Sequence, residues 1–151
     1  MGFLTGKTAI ITGAGRAVLK DGSCGSIGYG IATAYAKEGA NLVITGRNVK
    51  KLEAAKQELE SLYGIKVLTV QADVCAGGDN EATVANVVKQ AVDTFGGIQV
   101  LINNAQASAS GVPLAEHTTE QFDLAIYSGL YAAFYYMKAC YPCLLYTSPS
   151  P

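Results

Sequence analysis

Two glycine clusters carry the first chemical signal in the chain. Thr12-Gly13-Ala14-Gly15 ends the apolar run Thr8-Ala9-Ile10-Ile11, and Ser26-Ile27-Gly28 opens a helical pattern. A strand that ends in glycines and re-emerges as a helix start gathers unblocked backbone N–H groups where a phosphate can sit, and the helix dipole favours the anion further. Arg16 to Gly25 lie between the clusters, so that Thr12 and Gly28 stand 16 positions apart. Polar residues also close three later apolar runs: Arg47-Asn48, Asp73-Val74 and Asn103-Asn104-Ala105.

Other reactive residue types point to less. Cys140-Tyr141-Pro142-Cys143 has the spacing of a redox pair, but such pairs open a helix after a strand and this one falls at a helix end. The single histidine, His117, has no acid and serine at useful spacing and reads as a surface residue before a helix. No cluster has metal-ligand spacing.

The elements that must position these residues alternate regularly. Strands are expected at 7–12, 41–45, 65–70 and 98–102, the last one buried on both faces by its continuous apolar run. A helix over 26–38 would turn Ile27, Ile31, Ala34 and Tyr35 to one face, with Gly39 closing it. Leu52, Ala55, Leu59 and Leu62 give helical spacing up to Gly64, and Val84, Val87, Val88, Ala91, Val92 and Phe95 give it again between the Gly77-Gly78-Asp79 break and Gly96-Gly97. A last helix is expected from an N-cap at about Thr119 to about Tyr141, before Pro142. This βαβαβαβ order predicts an α/β fold, a doubly wound parallel sheet with helices on both faces.

Composition narrows the class. The 151 residues suffice for one domain, half of them are apolar, and the net charge near −1 leaves no field to attract nucleic acid. No run approaches the about 18 apolar residues of a membrane span. The first residues lack a secretion signal, and the four cysteines show no secreted framework, so a cytoplasmic location is the default.

Together, Thr12-Gly13-Ala14-Gly15 through Ser26-Ile27-Gly28, then Asp73-Val74, then Asn103-Asn104-Ala105, on this topology, resemble the short-chain dehydrogenase/reductases over residues 4 to about 143. The stretches SIGYGIATAYAKEGANLVITGRN (26–48), LYGIKVL (62–68), AQASASGVPL (105–114) and FDLAIYSGLYAAFYYMKACYP (122–142) are similar to bacterial NADP-dependent 12α-hydroxysteroid dehydrogenases. The resemblance implies a Rossmann fold of strand order 3-2-1-4, a nicotinamide cofactor, a small-molecule substrate of the bile acid or steroid class, no nucleic-acid or membrane partner, and a homo-oligomer, dimer or tetramer.

Carried over residue by residue, it places Gly13, Ser26, Ile27 and Gly28 at the cofactor pyrophosphate. The Asp73 carboxylate would accept from the adenine amino group with Val74 on the ring, Asn103 would pass backbone contacts to the ribose and stabilise the sheet centre, and Ala105 would be a further cofactor-binding position. A plain turn or cap is the other reading of Asp73. The second strand ends Thr45-Gly46-Arg47-Asn48 with no acid to hold ribose hydroxyls, and with a guanidinium suited to a 2′-phosphate, which reads as NADP; a solvated surface arginine is the alternative. The added loop from Ala17 to Cys24 could arch over the adenosine phosphates or bulge into solvent. Ser108 and Ser110 could touch a substrate or be plain loop, and Tyr127, Tyr131, Tyr135 and Tyr136 could line a pocket or form a buried or subunit-facing stripe.

Three departures from the family pattern matter. Ser26 stands where a glycine is usual, Gln106 replaces the glycine after Asn-Asn-Ala, and Gly129 falls where an asparagine of the long helix is expected. The family's proton transfer uses Tyr-x-x-x-Lys, and none of the nine tyrosines has lysine four positions on, so no residue is assigned as catalytic. The expectation is therefore an incomplete dehydrogenase, 1–143, cut after the fourth strand and the following helix. The remainder, 144–151, resembles translated sequencing adapter rather than the family. Enoyl-thioester reductases, which share the Ser-Ile-Gly replacement, and a non-catalytic nucleotide-binding module are the competing readings.

Overall fold

The computed structural model describes residues 2–75 and 80–146. Four parallel strands, β1 (Thr8–Thr12), β2 (Asn41–Gly46), β3 (Val67–Gln71) and β4 (Val100–Ile102), form one sheet in the order β3-β2-β1-β4. The expected doubly wound sheet and its strand order are therefore found. Helices α1 (Ile27–Lys37), α2 (Val49–Tyr63) and α3 (Asn80–Phe95) make the crossovers. The expected Gly77-Gly78-Asp79 break lies outside the described residues.

Strand alternation sends successive side chains to opposite faces. Ala9, Ile11, Leu42 and Ile44 therefore pack under α1 and α2, against Ala32, Ala36, Leu52, Ala55 and Leu59. Ile10, Val43 and Val70 meet α3 and the last helix through Val84, Val87, Ala91, Tyr136 and Cys140. Pairing runs Thr12 with Thr45, Ile11 with Ile102 and Gly46 with Gln71, which brings the carboxyl ends of all four strands to one edge. Because β2 lies on one side of β1 and β4 on the other, the crevice expected at a topological switch point opens beside Thr12.

Several expectations are corrected. The buried face of α1 is Gly28, Tyr29, Ala32 and Ala36, with Ile31 and Tyr35 partly buried beside it, while Ile27 is 76% exposed and Ala34 is also outside. Small residues let the helix lie close to the sheet, a requirement that apolarity alone does not reveal. Leu62 is exposed, and β3 begins at Val67 rather than Ile65. Strand β4 is three residues long and only half-buried, because it pairs with β1 alone.

The last helix is three pieces: α4 (Thr119–Ala125), a π-helical turn (Ile126–Tyr131) and α5 (Ala132–Leu145). Its N-cap is Thr118, in a capping box with Gln121. Pro142 lies inside α5 and does not end it; Lys138, whose carbonyl it leaves without an intrahelical donor, is on the exposed side. Leu144 continues the helix and packs against the core. Among the described residues no helix is long and apolar enough to cross a membrane, and no group of histidine, cysteine and acidic residues is placed to hold a metal.

Candidate functional site

A cavity of about 360 Å³ lies at the carboxyl edge of the sheet. Its wall includes Gly13, Gly15 and Ser26 from the glycine clusters, Arg47 and Lys51 from the β2–α2 junction, Val74 after β3, and Asn104 and Ala105 after β4. A second space of about 90 Å³ adjoins it, sharing Val74, Asn104, Ala105 and Gln106 and reaching Asn103, Gly129 and Tyr136.

The chain can pass through this crowded corner only with glycine at two positions. Gly13 has φ 70°, a left-handed conformation, and its N–H donates to the Thr45 carbonyl at 2.9 Å. A Cβ on Gly28 would stand 2.2 Å from the Gly13 carbonyl oxygen, so α1 begins in direct contact with the turn that ends β1. Ser26 caps the helix, its hydroxyl accepting the Tyr29 N–H at 3.4 Å. The N–H groups of Ile27 and Gly28 make no hydrogen bond among the described residues, as at the start of any helix.

Arg47 is exposed at the end of β2, and no acid among the described residues forms an ion pair with it. Its carbonyl accepts from the Gln71 side chain at 3.0 Å, which fixes the backbone at the mouth of the cavity. Asn48 caps α2 by accepting the Lys51 N–H at 3.0 Å, and the first turn of that helix contains no acid. Arg47 and Lys51 thus bring two cations to a helix start, an arrangement that an anion would relieve.

Asp73 does not line the cavity; it is exposed, and its Oδ1 accepts the Cys75 N–H at 2.9 Å in the turn that follows β3. This is the turn-forming reading, and it sets Val74 and Cys75 on the wall. Burial and the Asp73 carboxylate push the Cys75 thiol up, with Arg47 opposing them. Ile27 is likewise exposed and does not line the cavity. Asn103 is exposed and reaches only the smaller space, whereas its neighbour Asn104 ties the sheet centre, donating to the Thr12 carbonyl at 2.8 Å.

Sequence reasoning gave no site role to Asn104, Lys51 or Gln106, although all three line the cavity. Helical spacing from the Asn48 cap could have brought Lys51 beside Arg47, but which of two adjacent asparagines turns back to β1 depends on the turn itself. Gln106 lies against Gly129, 3.5 Å from where a Cβ would be, so the two departures from the family pattern are neighbours in space. Buried Ser128 accepts the Ala107 N–H at 2.9 Å and fastens that loop to the π-helical turn. Ser108 and Ser110 are exposed.

Among the tyrosines, Tyr136 is core, with its hydroxyl pushed up to about 12 by burial, while Tyr127 and Tyr131 stack with ring centroids 5.3 Å apart. Burial likewise pushes the Cys140 thiol up to about 12, which removes the thiolate that a redox pair with Cys143 would need. His117 is half-buried, with Nδ1 3.3 Å from the Pro113 carbonyl.

Comparison with known proteins agrees with this geometry. The chain is 59% identical to the 12alpha-hydroxysteroid dehydrogenase of Clostridium sp. over 99% of its own length and 55% of that enzyme's. It is similar to the crystal structure of L-sorbose reductase from Gluconobacter frateurii complexed with NADPH and L-sorbose, with TM-score 0.81 and 31% identity over 95% of this chain and 49% of that one. It is similar also to an alcohol dehydrogenase from the archaeon Thermococcus sibiricus complexed with 5-hydroxy-NADP, with TM-score 0.80 and 30% identity over 93% of this chain and 54% of that one. The chain thus spans about half the length of these relatives. The profile of the short chain dehydrogenase family matches residues 7–150, and the chain belongs to that family.

Proposed function

We propose that the chain is the NADP(H)-binding part of an oxidoreductase which, as a whole protein, interconverts the 12α-hydroxyl and 12-oxo groups of bile acids. One observation carries the cofactor reading: a single cavity combines the glycine turn and Ser26-capped start of α1 with Arg47 and Lys51, and no acid among the described residues lines it. The bound cofactor would supply or take the hydride. This chain's residues bind and orient it, with Gly13 and the N–H groups of Ser26, Ile27 and Gly28 at the pyrophosphate and Arg47 at the 2′-phosphate. Val74 would cover the adenine, Asp73 would accept from its amino group at the edge of the cavity, and Asn103 and Ala105 would flank the ribose.

The substrate class rests on the 59% identity to the Clostridium enzyme. A cytoplasmic location is part of this reading. Leu130, Phe134, Met137, Tyr141 and Leu145 form an exposed apolar stripe along the π-helical turn and α5, which a second subunit would cover in the whole protein. A protein carrying this sequence as its N-terminal half should reduce NADP when given a 12α-hydroxylated bile acid, followed by NADPH absorbance. Turnover of other alcohols but not of the 12α-hydroxyl would remove the substrate assignment.

A further inference from the structure

Two arginines flank the cofactor cavity, and the structure gives them different partners. Arg47 meets no acid among the described residues. Arg16 is ion-paired through its Nε to Glu58, about two turns along α2 from Lys51. Gly15 and Ala17 line the cavity, and Arg16 between them does not. The Arg16 N–H donates to the Lys51 carbonyl at 2.8 Å, so backbone and side chain of one residue both lie along α2.

The segment that follows closes on itself. Leu19 N–H donates to the Ser23 carbonyl at 2.9 Å, Gly25 N–H to the Ala17 carbonyl at 2.7 Å, and Val18 and Cys24 form an antiparallel bridge. The tip, including Lys20, is exposed, so the added loop is a hairpin that bulges outward from a root at Arg16, Ala17 and Gly25, one residue before the Ser26 cap. Without a fixed root, the freedom of the hairpin would pass directly into the glycine turn and the start of α1.

We infer that Glu58 is a positioning residue: by holding Arg16 along α2 it anchors the root of the 16–25 hairpin, so that Arg16 sets the shape of the phosphate cradle and does not itself read the 2′-phosphate. Tyr29, buried in the first turn of α1, adds a third strut. Its hydroxyl lies beside Glu58 and helps hold that carboxyl below its usual range, while burial and the same carboxylate keep the hydroxyl protonated. Glu58 thus joins the loop root, α1 and α2 at one point. The inference rests on the NADP reading above for its account of Arg47, but the anchor itself is a property of the protein alone.

The test compares the unaltered protein with Arg16→Gln, Glu58→Gln, Arg47→Gln and the exchange Arg16→Glu with Glu58→Arg. It uses calorimetric binding of NADPH and of NADH, cleavage after Lys20 by a lysine-specific protease, and the unfolding midpoint. Arg16→Gln and Glu58→Gln should each weaken both cofactors by the same factor, about two- to fivefold for a half-exposed ion pair, and speed cleavage after Lys20 comparably at an unchanged midpoint. The exchanged pair should recover both properties, which neither a phosphate ligand nor general destabilisation would allow.

Selective loss of NADPH in Arg16→Gln, matching that in Arg47→Gln, would overturn the inference, as would unchanged cleavage and affinity in Glu58→Gln. If the unaltered protein bound NADPH no better than NADH, the reading of Arg47 would fall, and cleavage after Lys20 in the variants and the exchanged pair would still decide the anchor.

Discussion

Asn104 and Thr12 lock the ends of β4 and β1 together in both directions. The Asn104 side chain donates to the Thr12 carbonyl at 2.8 Å, and the Thr12 hydroxyl oxygen accepts the backbone N–H groups of Asn104 at 3.0 Å and Ala105 at 2.9 Å. This exchange holds the wall shared by the two cavities against the glycine turn. Thr12→Val keeps the shape and strands those donors, so it should destabilise the protein by about 1–3 kcal/mol in a denaturant titration.

Gly28→Ala should act on the same corner through backbone clash. Its Cβ would meet the Gly13 carbonyl oxygen, which must move and draw the turn with it. Overpacking of this kind costs about 1–3 kcal/mol, and NADPH binding should fall with it. Gly64→Ala on α2 provides the control: Gly64 also has a positive φ, 66°, but open space around it, so stability should drop while cofactor binding by the folded protein holds.

Tyr136→Phe should be close to neutral. The buried hydroxyls of Tyr136 and Thr45 both lack a hydrogen-bond partner among the described residues. Removing a polar group that has no partner forfeits no bond, so the unfolding free energy should change by less than about 1 kcal/mol and not in the direction of a lost core contact.

Acid should loosen the 16–25 hairpin. Arg16 and Tyr29 hold the Glu58 carboxyl below its ordinary range, so the folded protein gains from the ionised form. That gain is complete above the ordinary carboxylate range and is lost as the pH falls through it towards the lowered value. Cleavage after Lys20 by an acid-tolerant protease or amide exchange across 16–25 should rise over that window in the unaltered protein and be flat in Glu58→Gln.

Much of the fold was legible because strands and glycines speak locally. The apolar runs at Thr8–Thr12 and Asn41–Gly46, the helix stop at Gly64 and the crossover order were enough to give the sheet. The buried face of α1 was not, since Gly28, Ala32 and Ala36 are selected for closeness to the sheet while the more apolar Ile27 faces outward. The π-helical turn at Ile126–Tyr131 carries no local signature; its extra width becomes meaningful only beside Ser128 and Gln106. At the site, Arg47 and Ser26 were visible by type and position, whereas the exchange between Asn104 and Thr12 and the pairing of Arg16 with Glu58 join residues 92 and 42 positions apart.

The NADP reading of Arg47 is tested most directly by cofactor choice. Calorimetric titration of the chain with NADPH and with NADH, repeated on Arg47→Gln, should show NADPH bound about tenfold or more tightly by the unaltered chain and that preference erased in the variant with NADH affinity retained. Equal affinity for the two cofactors in the unaltered chain, or a preference that survives loss of Arg47, would contradict it.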